Sequence, residues 1–182
     1  MAAPAREKLI TSEFYDIADT TDERLELIEG EIVVMPPPVP VHQAIIFNAG
    51  FMIRSMNIGG KVYLSPIEVE LDEENAPQPD LLWIAPSSTC RVGDKRLYGA
   101  PDLIVEVFSP RTAKNDLKGK FELYQRAGVR EYWMIHPIEE YVEVHSLVEG
   151  KYQRLGVFGV EDSFVSPVLN GLTISVSPIF QP

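Results

Sequence analysis

The chain has 182 residues, of which 45% are hydrophobic and 24% charged, and this composition and length predict a single globular domain over residues 1–182. The net charge of −11 disfavours a nucleic-acid partner for the chain as a whole. No apolar run approaches the roughly 20 residues of a membrane span, the first residues lack the apolar core of a signal peptide, and a lone cysteine, Cys90, excludes an internal disulfide. We therefore expect a cytoplasmic protein that does not associate with membranes.

The first predicted elements are a short helix over Thr11–Ala18 and a β-hairpin. Two segments of alternating hydrophobicity, Arg24–Ile28 and Glu31–Met35, are joined by Glu29–Gly30, a pair typical of a tight hairpin turn. Glu26 alternates with leucines and therefore lies on the opposite face of the first strand.

Val41 to about Asn57 is predicted to be the first long helix, because apolar residues recur there at helical spacing. His42 lies in its first turn, on the side of the apolar stripe. A histidine in such a position is more often a packed side chain than a catalyst, and both interpretations stay open.

Three strands follow, over Lys61–Ser65, Ile67–Leu71 and Leu81–Ala85. Asp80 comes directly before the third and shares a face with its alternate residues. The next segment, Pro86–Gly99, has no regular pattern, and we predict a loop.

The strand Leu103–Phe108 is apolar on both faces apart from Glu106, as in the central strand of a covered sheet. A buried carboxylate is costly unless it is paired, neutralised or bound to a metal. It could form an ion pair with an arginine at the end of the sheet. Alternatively it belongs to a functional site, with Asp80 beside it at the mouth of a neighbouring strand.

The helix after this strand, which Gly128 ends, places Lys120 at the edge of its apolar stripe. The ammonium could pair with Asp116 one turn earlier, or reach over the sheet towards Glu106. Gly119, in the middle of the helix, is unfavourable relative to alanine. It predicts that another group approaches the backbone closely there.

Residues 91–130 are basic although the whole chain is acidic. They include nine Lys or Arg against five acids, so the segment carries +4 and the remainder −15. Such a segment could meet phosphates or form a solvated surface, and the sequence favours neither. The nine are Arg91, Lys95, Arg96, Arg111, Lys114, Lys118, Lys120, Arg126 and Arg130.

The last part of the chain is predicted to be mostly β. Glu131–Ile135 forms a buried strand, Tyr141–Leu147 and Tyr152–Val157 form a C-terminal meander of exposed strands, and Phe164–Val176 is a short closing segment. The exposed meander and the acidic surface predict a homodimer.

Two carboxylates at neighbouring strand ends and a lysine form a set suited to phosphate chemistry. Mg²⁺ prefers a few carboxylate oxygens and keeps several waters, and a bound ion can activate water and offset charge on a phosphate. Asp80 and Glu106 would hold Mg²⁺, with Mn²⁺ as an alternative, and Lys120 would act on the water or the phosphate. The sequence contains no P-loop, nucleophile elbow or HExxH zinc motif.

Several motifs together resemble the Uma2 family, also called DUF820, over about residues 11–178. They are ELIEGE at 26–31, His42, QPD at 78–80, PDLIVEVFSP at 101–110, the spaced set Asp116, Lys120 and Tyr124, and GVREYW at 128–133. The resemblance implies the PD-(D/E)XK restriction-endonuclease-like superfamily. It implies an α/β core in which helices flank a central mixed β-sheet, with the N-terminal hairpin and the C-terminal meander added to it.

The resemblance also implies a magnesium-dependent nuclease site, in which Asp80 matches the first acid and Glu106 the second. The superfamily motif has its lysine two residues after the second acid, where this chain has Phe108. In the Uma2 branch the lysine is on the following helix and matches Lys120. Glu26 resembles an additional N-terminal acid, with Glu31 as its competitor, whereas we assign no function to His136.

We therefore predict a metal-dependent endonuclease that hydrolyses phosphodiester bonds in DNA, with Glu26 and His42 as further candidate catalytic residues. The change Lys120→Ala is expected to remove activity and leave the fold stable. Two alternatives stay open. One is a catalytically silent nuclease-fold module that binds or regulates, which the acidic charge favours, and the other is a hydrolase of a small phosphorylated substrate.

Overall fold

The computed structural model, which describes residues 8–108 and 116–181 and leaves out the side chains of residues 116–118, contains the predicted helices and strands. The helices are α1 (Thr11–Ala18), α2 (Pro40–Ser55) and α3 (Asp116–Ala127). The strands are β1 (Leu25–Ile28), β2 (Glu31–Val34), β3 (Lys61–Leu64), β4 (Val69–Glu70), β5 (Leu81–Ile84), β6 (Arg91–Val92), β7 (Leu97–Tyr98), β8 (Leu103–Val107), β9 (Glu131–His136), β10 (Tyr141–Val148), β11 (Lys151–Gly159), β12 (Ser163–Ser166) and β13 (Leu172–Ser175).

The centre of the protein is a six-stranded mixed sheet with the strand order β11-β10-β9-β8-β5-β3. Strands β8 and β9 run parallel, while the other neighbours in this sheet are antiparallel. A parallel pair needs a crossover connection between its strands, and α3 lies in that connection. The predicted α/β architecture with a central mixed sheet is confirmed.

The two faces of the sheet carry separate cores. Leu103, Val105 and Val107 of β8 pack in one core with α2 and the C-terminal hairpin β12–β13. Ile104 packs in the other core with residues of α3. Because side chains alternate along a strand, Glu106 faces α3 as Ile104 does, and the predicted division of β8 into two faces is confirmed.

The N-terminal hairpin β1–β2 forms as predicted. Its turn residues, Glu29 and Gly30, have φ values of 52° and 75°, the left-handed conformation that a two-residue hairpin turn requires. A Cβ atom at Gly30 would lie 2.7 Å from Cβ of Lys8, so glycine is also needed for space. The hairpin and α1 share a small core of their own, made of Phe14, Leu25, Leu27 and Ala76.

The predicted loop Pro86–Gly99 is wrong in part, since it contains β6 and β7. These strands join β4 in a second sheet of order β4-β7-β6, and the predicted strand Ile67–Leu71 shrinks to β4. Each of these strands has two residues. That length is too short for a periodic pattern, so long-range pairing alone decides where they form.

The meander β9–β10–β11 is present, but the expectation that its strands after β9 are exposed is wrong for β10. Val142 and Val144 are fully buried. Strand β10 has a partner strand on each side, and these two residues belong to the core that also contains α2. The closing segment 164–176 is the hairpin β12–β13. This correction removes the exposed meander as an argument for a homodimer.

The close approach expected at Gly119 is not seen among the described residues. A Cβ atom there would meet no atom of the described residues within 4 Å, so those residues give the glycine no packing reason. Separately, none of the helices in the described ranges has the length and hydropathy needed to cross a membrane.

Candidate active site

The site lies where β5 begins, beside the last residues of β8. The antiparallel register pairs Leu81 with Val105, and one further step along the strands sets Asp80 opposite Glu106. Residues opposite each other in an antiparallel pair point to the same face, with Cβ atoms roughly 4.5–5.5 Å apart. The two acids that the sequence placed at neighbouring strand ends therefore belong to one buried cluster, in which neither exposes more than 8% of its surface.

Lys120 enters this cluster from α3. Its Nζ atom donates to Oε1 of Glu106 at 3.1 Å and to Oε1 of Glu26 at 2.9 Å, and its side chain is buried. Of the two interpretations of Lys120, the structure shows the one in which the amine reaches over the sheet to Glu106. The side chain of Asp116, the alternative partner, lies outside the described residues.

Glu26 joins the cluster from the N-terminal hairpin. Its Oε1 atom also accepts the backbone N–H of Gln78 at 2.7 Å, and the Gln78 side chain donates to the carbonyl of Leu25 at 2.9 Å. Two hydrogen bonds thus fasten β1 to the segment that carries Asp80. Glu31, the competitor for this place, is exposed on β2.

His42 reaches Asp80 from the opposite layer of the sheet. Its Nε2 atom lies 3.1 Å from Oδ2 of Asp80, which also accepts the backbone N–H of Val107 at 2.8 Å. His42 is thus more than a packed histidine, since it contacts an acid of the site. This contact is possible because Asp80 lies one residue before β5, at the end of the strand, where the first turn of α2 is close to it.

Tyr124 is a member of the cluster to which sequence reasoning assigned no role. Its hydroxyl donates to Oε1 of Glu106 at 2.7 Å, and its side chain is fully buried. The available signal was its spacing, because residues four apart on a helix lie on the same face and Tyr124 follows Lys120 by four. Periodicity alone presented it as an ordinary aromatic residue of the core.

Burial and neighbouring charge perturb the ionisation of this cluster. Desolvation raises the pKa of Glu106 to about 7, the Lys120 ammonium opposes that rise, and Asp80 and Glu26 add to it. Desolvation lowers the pKa of Lys120, but Glu106 and Glu26 outweigh that effect and hold it above its usual value. The amine is therefore an ammonium at neutral pH, and it faces three acid side chains, of which Glu106 is held partly protonated by its raised pKa.

The two acids fit a divalent cation by the chemistry of their oxygens. The described donors bind one oxygen of each, Oε1 of Glu106 and Oδ2 of Asp80. In the described ranges no three His, Cys, Asp or Glu side chains form a metal cage. Mg²⁺ is commonly held by only one or two carboxylates with waters and substrate phosphates, so the chemistry of Asp80 and Glu106 fits such an ion.

Positions 108 and 136 lie beside this cluster without joining it. The Phe108 ring packs edge-on against the imidazole of His136, with 5.6 Å between ring centroids. The lysine expected at position 108 from the superfamily motif is thus replaced by an aromatic contact. Lys120 and Tyr124 of α3 contact Glu106 instead.

The basic segment 91–130 is largely matched by acids where its side chains are described. Its ion pairs are Lys95–Asp19, Arg96–Glu68, Lys120 with Glu26 and Glu106, Arg126–Glu29 and Arg130–Asp102. Arg91 lies over the ring of Tyr98, and the side chains of Arg111, Lys114 and Lys118 are outside the described set. The described part of the segment therefore supports a solvated surface of ion pairs more than a phosphate-binding patch.

The chain is similar to known proteins both in sequence and in structure. The model of the Uma2 family, described as "Putative restriction endonuclease", matches residues 11–177. The crystal structure of "a putative nuclease belonging to DUF820" from Anabaena variabilis ATCC 29413 is similar, with a TM-score of 0.70 and 22% sequence identity over 88% of this chain and 91% of that chain. At this identity the likeness shows the fold alone. No curated protein matches the chain.

Proposed function

The chain belongs to the Uma2 family, and on that premise we propose that it is a divalent-metal-dependent endonuclease that hydrolyses phosphodiester bonds in DNA. The observation that carries the proposal is the buried Lys120 ammonium, held within 3.1 Å of Glu106 beside a second strand-end acid, Asp80. The family description supports a nuclease, and this arrangement of charges supports phosphate chemistry.

In the proposed mechanism Asp80 and Glu106 would hold Mg²⁺ or Mn²⁺, each through the carboxylate oxygen that the described donors leave free. When bound, such an ion activates water and offsets the charge that develops on the phosphate. His42 and the Val107 N–H orient Asp80 through its other oxygen. Glu26 keeps the amine of Lys120 directed at Glu106.

Lys120 acts as a donor and a fixed positive charge in this scheme. Its raised pKa keeps it protonated, so it does not accept the proton of the attacking water. An ammonium has three N–H donors, and the described contacts use two of them. We assign the third to the water or to a phosphate oxygen, where a preorganised charge stabilises the transition state.

A cleavage assay tests this function. Single- and double-stranded DNA and RNA are incubated with the protein in Mg²⁺ or Mn²⁺, with Glu106→Gln as the inactive variant and the exposed Glu31→Gln as its matched control. We expect metal-dependent cleavage of DNA that Glu106→Gln loses and Glu31→Gln keeps. Absence of cleavage on every substrate, or equal cleavage by Glu106→Gln, contradicts the proposal.

A nuclease-fold module that binds or regulates without cutting is the second candidate. The ion-paired basic segment and the net charge of −11 favour it, because both weaken attraction to a phosphate backbone. Metal binding separates the two candidates. A silent module should bind Mn²⁺ weakly, and Asp80→Asn should leave its Mn²⁺ affinity unchanged.

We also propose that the protein forms a homodimer through the outward face of α2. Phe47 and Phe51 are 62% and 65% exposed and stack on each other, and Arg54 is the only Lys, Arg, Asp or Glu in the helix. On a chain of net charge −11 an uncharged face is where a second copy can approach with least repulsion. This face is poorly suited to a nucleic acid, because Arg54 is the only Lys or Arg in α2.

Sedimentation equilibrium tests this assembly. We expect a dimer that Phe47→Glu dissociates, while Ile138→Glu, at an exposed apolar position outside α2, leaves it intact. A monomeric wild type, or a Phe47→Glu variant that stays dimeric, contradicts the α2 interface.

A further inference from the structure

Two donors from α3 converge on one oxygen of Glu106. The hydroxyl of Tyr124 lies 2.7 Å from Oε1 and the ammonium of Lys120 lies 3.1 Å from the same atom. Within the described residues no donor is directed at Oε2. A carboxylate oxygen has two lone pairs, so the two donors fill Oε1 and leave Oε2 as the oxygen that can bind an ion.

Asp80 shows the same division between its oxygens. Oδ2 receives the Val107 N–H and faces Nε2 of His42, while Oδ1 receives no donor from the described residues. Each acid is therefore held on one side by the protein. This arrangement orients the two remaining oxygens before an ion arrives, which lowers the cost of ordering them.

We propose that Tyr124 is a positioning residue of the metal site, which holds Glu106 through Oε1 so that Oε2 alone ligates the cation. This inference rests on the proposed function, since it requires the two acids to bind a divalent ion. Hydrogen-bond partners of metal ligands typically affect metal affinity by roughly 10–100-fold. Tyr124 is the neutral member of the donor pair, so its removal tests orientation without changing the charge of the cluster.

Tyr132 supplies a matched control within the same core. Both tyrosines are fully buried, and their rings contact each other at a centroid distance of 5.2 Å. The hydroxyl of Tyr132 has no hydrogen-bond partner among the described residues, whereas that of Tyr124 binds Glu106. The changes Tyr124→Phe and Tyr132→Phe thus remove the same group from the same layer, and only one of them removes a contact to the site.

The experiment is a Mn²⁺ titration followed by electron paramagnetic resonance of the free ion, for the wild type, Tyr124→Phe and Tyr132→Phe. Thermal unfolding without metal checks that each variant folds. If Tyr124→Phe does not fold, Tyr124→Leu serves as a second variant that lacks the hydroxyl. We expect the Mn²⁺ dissociation constant to rise about 10-fold or more in Tyr124→Phe and to stay at the wild-type value in Tyr132→Phe. Cleavage by Tyr124→Phe should recover at saturating Mn²⁺.

The outcomes separate this inference from the function on which it rests. If the wild type binds Mn²⁺ and both variants bind it equally well, Tyr124 only packs and the inference is overturned. The same holds if both variants lose affinity equally, because the loss then comes from the core. If the wild type binds no Mn²⁺, the proposed metal-dependent function fails and the inference fails with it.

Discussion

The Nζ atom of Lys120 lies 3.1 Å from Oε1 of Glu106, although one side chain comes from α3 and the other from β8. Both are buried. A charge pair removed from water depends strongly on each partner, because the survivor is left desolvated and unpaired. The contact therefore links catalysis and stability in the same pair of residues.

The first prediction concerns Lys120→Met. It should abolish cleavage, and it should also destabilise the protein by about 3–5 kcal/mol, the usual cost of breaking a buried ion pair. This prediction differs from the expectation from the sequence, in which Lys120→Ala leaves the fold stable, because the structure buries the amine against Glu106. Urea unfolding and the cleavage assay measure the two effects separately.

A double variant distinguishes the two roles of Lys120. Adding Glu26→Gln to Lys120→Met removes one of the stranded carboxylates, so stability should partly return while cleavage stays absent. If Lys120→Met alone is as stable as the wild type, Glu26 and Glu106 must find other partners for their charges. Cleavage by either variant would refute the proposed role of the ammonium.

The second prediction is a pH dependence of stability caused by Glu106. Burial raises the pKa of Glu106 from 4.5 to about 7, so its contribution is fully present below pH 4.5 and is lost as the pH rises through 7 in metal-free protein. The loss amounts to about 3 kcal/mol. The free energy of unfolding of the wild type should fall between pH 5 and pH 8 relative to Glu106→Gln, which does not ionise.

Glu31→Gln is the control for this pH series, since Glu31 is exposed and should follow the wild type. Saturating Mg²⁺ should reverse the trend, because the ion binds ionised Glu106 and stabilises the folded state. Parallel curves for the wild type and Glu106→Gln would show that Glu106 titrates normally.

The third prediction concerns His42, which we expect to position Asp80. Removing its contact at 3.1 Å by His42→Ala should lower metal affinity and cleavage by roughly 10–100-fold, the usual effect of losing a partner of a metal ligand. His136→Ala is the matched control, since His136 stacks on Tyr141 and contacts no acid of the cluster. An equal loss in both histidine variants would assign the effect to packing.

The fourth prediction decides between Glu26 and Glu31. Glu26→Gln removes the charge that faces Lys120 at 2.9 Å, so we expect weaker cleavage and a stability loss of about 1–3 kcal/mol. Glu31→Gln should change neither quantity. Cleavage assays and urea unfolding of the two variants provide the test, and a larger effect of Glu31→Gln would place the functional acid on β2.

Residue patterns predict the strands β5 and β8 and place Asp80 and Glu106 at neighbouring strand ends, whereas the central mixed sheet was an expectation from the family resemblance. Alternation along β8 showed that Glu106 is buried, and the position of Asp80 before β5 put it at a strand end, because both properties follow from local backbone geometry. The helical wheel showed Lys120 at the border of the apolar stripe for the same reason. It left open where the amine goes. The family resemblance implies that it meets the acids, and the contact with Glu106 at 3.1 Å shows it.

Which distant groups meet at this site follows from the packing of elements that lie far apart in the chain. The choice of Glu26 over Glu31, the contact of His42 with Asp80 and the hydrogen bond from Tyr124 depend on how α2, α3 and the hairpin pack around the sheet. The pairing of Arg96, Arg126 and Arg130 with acids outside or across their segment depends on it too. Local patterns report which face of an element is buried, whereas the partner on that face is set by packing between segments far apart in the chain.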